Sequence, residues 1–126
     1  MPGRPMELQK IDRDFTICQV VGINQVDFAG EFTFLSKTDE EISLVCETDR
    51  LPPDVIVSDS GWKALKISGV LDLGLTGVIS KITGLLAEAG IGVFVVSTYN
   101  TDYILLKAVN FDRGIQALVR NGYVIK

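Results

Sequence analysis

Two polar stretches of this 126-residue chain carry the groups best suited to holding a small charged molecule. The first is Gly69-Val70-Leu71-Asp72-Leu73-Gly74-Leu75-Thr76-Gly77, which lies between a strand pattern and a helix pattern. Such a junction presents unpaired N–H groups at the positive end of a helix dipole, where a carboxylate or phosphate is favoured. No Gly-Lys-Ser/Thr follows, so it is not a P-loop, and the spacing is not that of a dinucleotide fingerprint. The same glycines equally suit a tight turn and the close approach of a helix at Gly77 and Gly84. The second stretch is Ser97-Thr98-Tyr99-Asn100-Thr101-Asp102. Asp102 can hold an ammonium group and the hydroxyls can orient a ligand. Alternatively, the stretch is a hairpin turn whose Asn and Asp bond their own backbone.

Other candidates carry less chemistry. Asp39-Glu40-Glu41 groups carboxylates of the kind that bind Mg²⁺, but at a hairpin tip they read as a solvated turn. Trp62, the only tryptophan, reads as packing at the junction of two units rather than as a stacking platform. The chain has no histidine. That removes Ser-His-Asp and Cys-His nucleophiles, His-based zinc sites and a histidine pH switch. Cys18 and Cys46 sit in apolar strand-like runs and are expected as buried, reduced thiols rather than metal ligands. A non-enzymatic chain with no cofactor and no metal is therefore expected. The net charge of −4 argues against nucleic-acid binding, which needs a basic face. Met1 to Glu7 contains no apolar run, so no secretory leader is expected, and nothing approaches the ~18 apolar residues of a membrane span. The cytoplasm is the expected compartment.

Positioning these residues requires a regular scaffold. Trp62 to Ser68 alternates, with Leu65 and Ile67 on one face, as in a half-buried strand. Val78, Ile79, Ile82, Leu85, Leu86 and Ala89 form one helical stripe, which predicts a helix from Thr76 to Ala89. Thr76 is the expected N-cap and Gly90 the left-handed residue past the end. Strands are predicted over 91–97, read as central because it is almost continuously apolar, and over 103–109. A second helix spans 111–120 and a short strand 123–125. The order β-α-β-β-α-β is ferredoxin-like: an α+β fold with two helices on one face of a four-stranded antiparallel sheet.

The first half looks like a reduced copy. Its hairpin, Phe32 to Ser36 and Ile42 to Cys46, matches the second half at a shift of 61 positions, which sets Ser36 on Ser97 and Leu44 on Leu105. A strand over 15–20 precedes it, and one turn near 25–29 stands for the first helix. Pro52 and Pro53 interrupt the second, Val55 to Val57 would close the sheet, and Ser58 to Gly61 is read as a linker. Two units are expected, a reduced one over 1–61 and a complete one over 62–126.

Trp62-Lys63-Ala64-Leu65, Gly69 to Val78, Leu86-Ala87-Glu88-Ala89-Gly90-Ile91 and Ser97-Thr98-Tyr99-Asn100-Thr101-Asp102-Tyr103 resemble the small bacterial tandem ACT-domain proteins. They also resemble the ACT repeats of animal cytosolic arginine sensors. The match is strong from Trp62 to Val109 and weaker through Phe32-Thr33-Phe34 and Glu41 to Cys46. The resemblance implies a tandem ferredoxin-like fold that binds a small molecule, usually an amino acid, for regulation. Carried over, the ligand would meet the loop Leu73, Gly74, Leu75, Thr76, Gly77 and Val78, and Thr98, Tyr99 and Asp102 would close the site. The α-carboxylate would accept bonds from Gly77 and Val78, and the α-ammonium would meet Asp102 or backbone carbonyls. Leu75 stands where arginine-sensing relatives can carry an acidic side chain, which admits a smaller or apolar amino acid. A homodimer and an unidentified protein target are the implied partners. The alternative is a degenerate module that only dimerises or docks.

Overall fold

Backbone pairing, rather than side-chain polarity, decides where the long strands of this chain run. The computed structural model describes residues 6–68 and 77–126. Along the chain come β1 (Glu7–Gln19), β2 (Thr33–Lys37), β3 (Ile42–Glu47), β4 (Val57–Ile67), α1 (Val78–Glu88), β5 (Phe94–Ser97), β6 (Asp102–Lys107), α2 (Ala108–Arg120) and β7 (Val124–Ile125). Arg13–Trp62 forms one compact unit, and Met1–Asp12 with Lys63–Lys126 forms the other. The residues before Arg13, expected in the first unit, thus group with the second.

In the Arg13–Trp62 unit the strand order is β2-β3-β1-β4. β1 and β3 are antiparallel with Thr16 opposite Cys46 and Cys18 opposite Leu44. Cys18, Val20, Leu44 and Cys46 form its core, with Val26, Leu35, Ile42, Leu51 and Val55 packed against them. The expected turn near 25–29 is a 3-10 turn at Ile23–Gln25. Its Gln25 Oε1 accepts from the Val21 and Gly22 amides at 2.8 and 3.3 Å, and Nε2 donates to Asp54 O at 2.9 Å. A second 3-10 turn, Thr48–Arg50, precedes the two prolines. Ser58 to Gly61, read from sequence as a linker, lies inside β4, because exposed polar side chains do not stop a backbone from pairing. Asp39, Glu40 and Glu41 are exposed at the β2–β3 turn, where Thr38 Oγ1 accepts from the Glu40 and Glu41 amides.

In the other unit the order is β5-β6-β4-β1, with β7 beside β1. Here β1 pairs in parallel with β7, Glu7 opposite Val124 and Leu8 opposite Ile125. The expected four-stranded arrangement is corrected: the start of β1 stands between β4 and β7. β5 ends the strand order instead of lying centrally, and its residues alternate between half-buried and exposed. A sheet that is antiparallel apart from the β1–β7 pair, with two helices, encloses a core of Leu8, Leu65, Ile67, Ile82, Leu86, Ile91, Ile104, Leu106 and Leu118. α2 starts at Ala108, inside the stretch expected as strand, because the ladder with β5 ends at Leu105 opposite Phe94.

Both helices end in the same way. Ile91 N–H bonds Leu86 O and Gly90 N–H bonds Ala87 O, each at 2.9 Å. Tyr123 N–H bonds Leu118 O and Gly122 N–H bonds Val119 O, each at 3.1 Å. These are paired Schellman caps, and they require left-handed residues, met by Gly90 at φ 75° and Gly122 at φ 93°.

Candidate functional site

α1 begins without a side-chain cap. Its N-cap is Gly77, at φ 81°, and the first turn holds no acidic residue. The N-cap expected at Thr76 is thereby corrected by one position, since Lys81 N–H closes the first helical bond on Gly77 O at 3.0 Å. The amides of Val78, Ile79 and Ser80 precede that bond and have no carbonyl of their own helix to reach. Among the described residues nothing caps the positive end of this helix dipole.

That helix end faces a cleft of about 360 Å³. Gly77, Val78 and Lys81 line one side. Asn121, Gly122 and Tyr123, where α2 ends, line another, together with Met6 ahead of β1. Asn121 Nδ2 donates to Ala117 O at 2.8 Å, which leaves Oδ1 as an acceptor. Burial pushes the Tyr123 hydroxyl above its ordinary pKa. The cleft thus combines a positive helix end, a lysine and the negative end of a second helix. A zwitterion has the matching charges.

Of the residues singled out from sequence, Gly77 and Val78 line this cleft. Leu73, Gly74, Leu75 and Thr76 lie outside the described residues. Thr98, Tyr99 and Asp102 belong to the β5–β6 turn and are not among the described residues lining the cleft. Thr98 N–H and Oγ1 both donate to Thr101 O, at 2.9 and 3.0 Å, and Tyr99 is 84% exposed. Asp102 pairs with Ser97 across the hairpin. Buried Thr101 donates its hydroxyl to Ile67 O at 2.9 Å. This bond ties the turn to the end of β4, from which the Gly69–Thr76 stretch departs.

Sequence reasoning missed Met6, Lys81, Asn121, Gly122 and Tyr123 as lining residues. In sequence Lys81 showed only as a polar position four residues after Gly77, and Asn121-Gly122 only as a helix stop. Met6 carried no signal, because it reaches the cleft only through the β1–β7 pairing. The thiols offer no competing chemistry. Cys18 and Cys46 are buried and free, and burial, followed by the neighbouring Cys18 thiol, pushes Cys46 up to about 12.

The family model described as the ACT domain matches residues 57–120, just over half of the chain. The chain belongs to the ACT-domain family. It is 29% identical over 100 residues to the cytosolic arginine sensor for mTORC1 subunit 1 of Bos taurus, covering 71% of this chain. The match spans 30% of that relative's length. Among solved structures, a protein from Agrobacterium tumefaciens is similar at TM-score 0.86 and 28% identity, over 98% of this chain and 94% of its own. The regulatory subunit of aspartate kinase from Thermus thermophilus shares the fold at TM-score 0.62 and 10% identity, covering 90% of this ACT chain and 95% of that subunit.

Proposed function

We propose that this ACT-domain chain is a non-enzymatic regulatory module that binds an amino acid at the start of α1. The observation that carries the reading is the cleft itself. Uncapped Gly77 and Val78 stand on one side and the C-terminal end of α2 on the other. The α-carboxylate would accept bonds from the first α1 amides, favoured by the dipole. The α-ammonium would meet the carbonyl end of α2 and Asn121 Oδ1. Leu73 to Thr76 would complete the carboxylate cradle. Thr98, Tyr99 and Asp102 would close the site from the turn that Thr101 anchors.

The reading extends to two ACT-type units in tandem, supported by the strand–turn–strand likeness between the halves. It includes a homodimer and a cytoplasmic location. The latter is supported by the cytosolic relative, and no helix of the described residues is long and apolar enough to cross a membrane. Isothermal titration of the whole chain against the twenty amino acids tests the core of the proposal. A saturable heat should come with a rise in Tm, since ligand at 100 times Kd stabilises by about 2.7 kcal/mol. No heat and no shift with any amino acid would leave dimerisation or docking as the function.

A further inference from the structure

Resting on that reading of the cleft, we infer that its ligand is a dicarboxylic amino acid and that Lys81 selects the side-chain carboxylate. Lys81 is the only charged residue among the described residues lining the cleft. It is exposed, and among the described residues it has no ion-pair partner. It stands one turn into α1, just after the first-turn amides that would take the α-carboxylate. Two sources of positive potential thus meet in one place, with no acidic residue in the first turn to offset them. An arginine or lysine ligand would bring a second cation against both.

The second observation is Tyr123. It lines the cleft and is only 9% exposed, and among the described residues its hydroxyl has no hydrogen-bond partner. That hydroxyl is a donor on the cleft wall, and a bound group can accept its proton. A ligand carboxylate is such an acceptor, and a phenol with a raised pKa keeps its proton to donate. An acidic amino acid then matches every polar group in reach. Its α-carboxylate meets the α1 amides, its ammonium the end of α2, and its second carboxylate Lys81 and Tyr123.

The test is titration calorimetry of the full chain with L-aspartate, L-glutamate, L-asparagine, L-glutamine and L-arginine at low ionic strength. One acid should bind about tenfold or more tighter than its own amide, the difference expected of a charge-assisted contact. Raising the salt should narrow that gap. Lys81→Gln, an exposed change, should bring acid and amide to within about twofold of each other. Tyr123→Phe should weaken the acid more than the amide. Acid and amide binding equally, or arginine binding tightest, would overturn the inference while leaving amino-acid binding intact. An acid preference unchanged in Lys81→Gln would overturn the role of Lys81. Binding by none of the five, with another amino acid bound, would also refute it.

Discussion

Thr101 shows how one side chain can tie a candidate turn to the scaffold beneath it. It is 2% exposed, and its hydroxyl bonds Ile67 O at the end of β4. Thr101→Val keeps the shape but removes that buried bond, at a cost of about 1–3 kcal/mol in a urea titration. Thr101→Ser should retain most of the stability, and a neutral Val variant would show that the bond holds nothing. Cys46 makes a pH prediction. Burial holds its thiol protonated up to about 12 in the folded chain, against the ordinary 9.0 of an exposed thiol. Between those values the unfolded chain loses the proton and the folded chain does not, so stability falls as pH rises from 9 toward 12. Cys46→Ala should remove that component of the alkaline loss, whatever its own cost in packing. The burial of both cysteines was legible, because each sits in an apolar strand-like run. The role of Lys81 was not, because on an amphipathic helix it is one more polar position.

At the scale of elements, the two helices were legible because the stripe and its stop signals agree. Gly90 and the pair Asn121-Gly122 mark both ends in sequence, and both become Schellman caps. Gly90→Ala places a Cβ in open space but at φ 75°, so only the left-handed backbone opposes it, at about 1–2 kcal/mol by denaturant midpoint. Gly114 in α2 is the opposite case. A Cβ there would meet Leu106 Cδ2 at 2.6 Å and Leu86 Cδ2 at 3.4 Å, with no left-handed backbone involved. Gly114→Ala must push Leu106 aside in a filled core, and about 1–3 kcal/mol should be lost in spite of the better helix propensity of alanine. A stabilised Gly114→Ala protein would mean that α2 has room beside β6. Helix starts were less legible than helix ends. A glycine N-cap carries no side-chain signature, and Thr76 looked the better candidate by residue type.

At the scale of the whole chain, the division into units was the least legible feature, for a reason found in β1. Leu8 and Ile11 are both buried, yet a three-residue spacing puts them on opposite faces of a strand, so no period-two signal marks the segment. Met6 to Asp12 nevertheless supplies a fully buried core residue, Leu8, to the unit that holds α1 and α2. It also makes backbone bonds there, among them Ser68 to Glu7, Val124 to Met6, Lys126 to Leu8 and Lys10 to Lys126. A fragment of residues 62–126 lacks all of these. Losing Leu8 alone removes about 2–5 kcal/mol from a domain whose total is about 5–15 kcal/mol, so the fragment should unfold in far less urea than the whole chain. The register suggests the rescue. With Ser68 N–H on Glu7 O and Ile56 N–H on Gln19 O, β1 and β4 run antiparallel, and Asp12 falls opposite Lys63. Replacing residues 13–62 by a two-residue Asn-Gly turn should therefore join the strands as a hairpin and restore a cooperative transition. If residues 62–126 alone match the joined chain in urea midpoint and amide protection of β7, the β1 segment is dispensable and the boundary read from sequence is sufficient for folding.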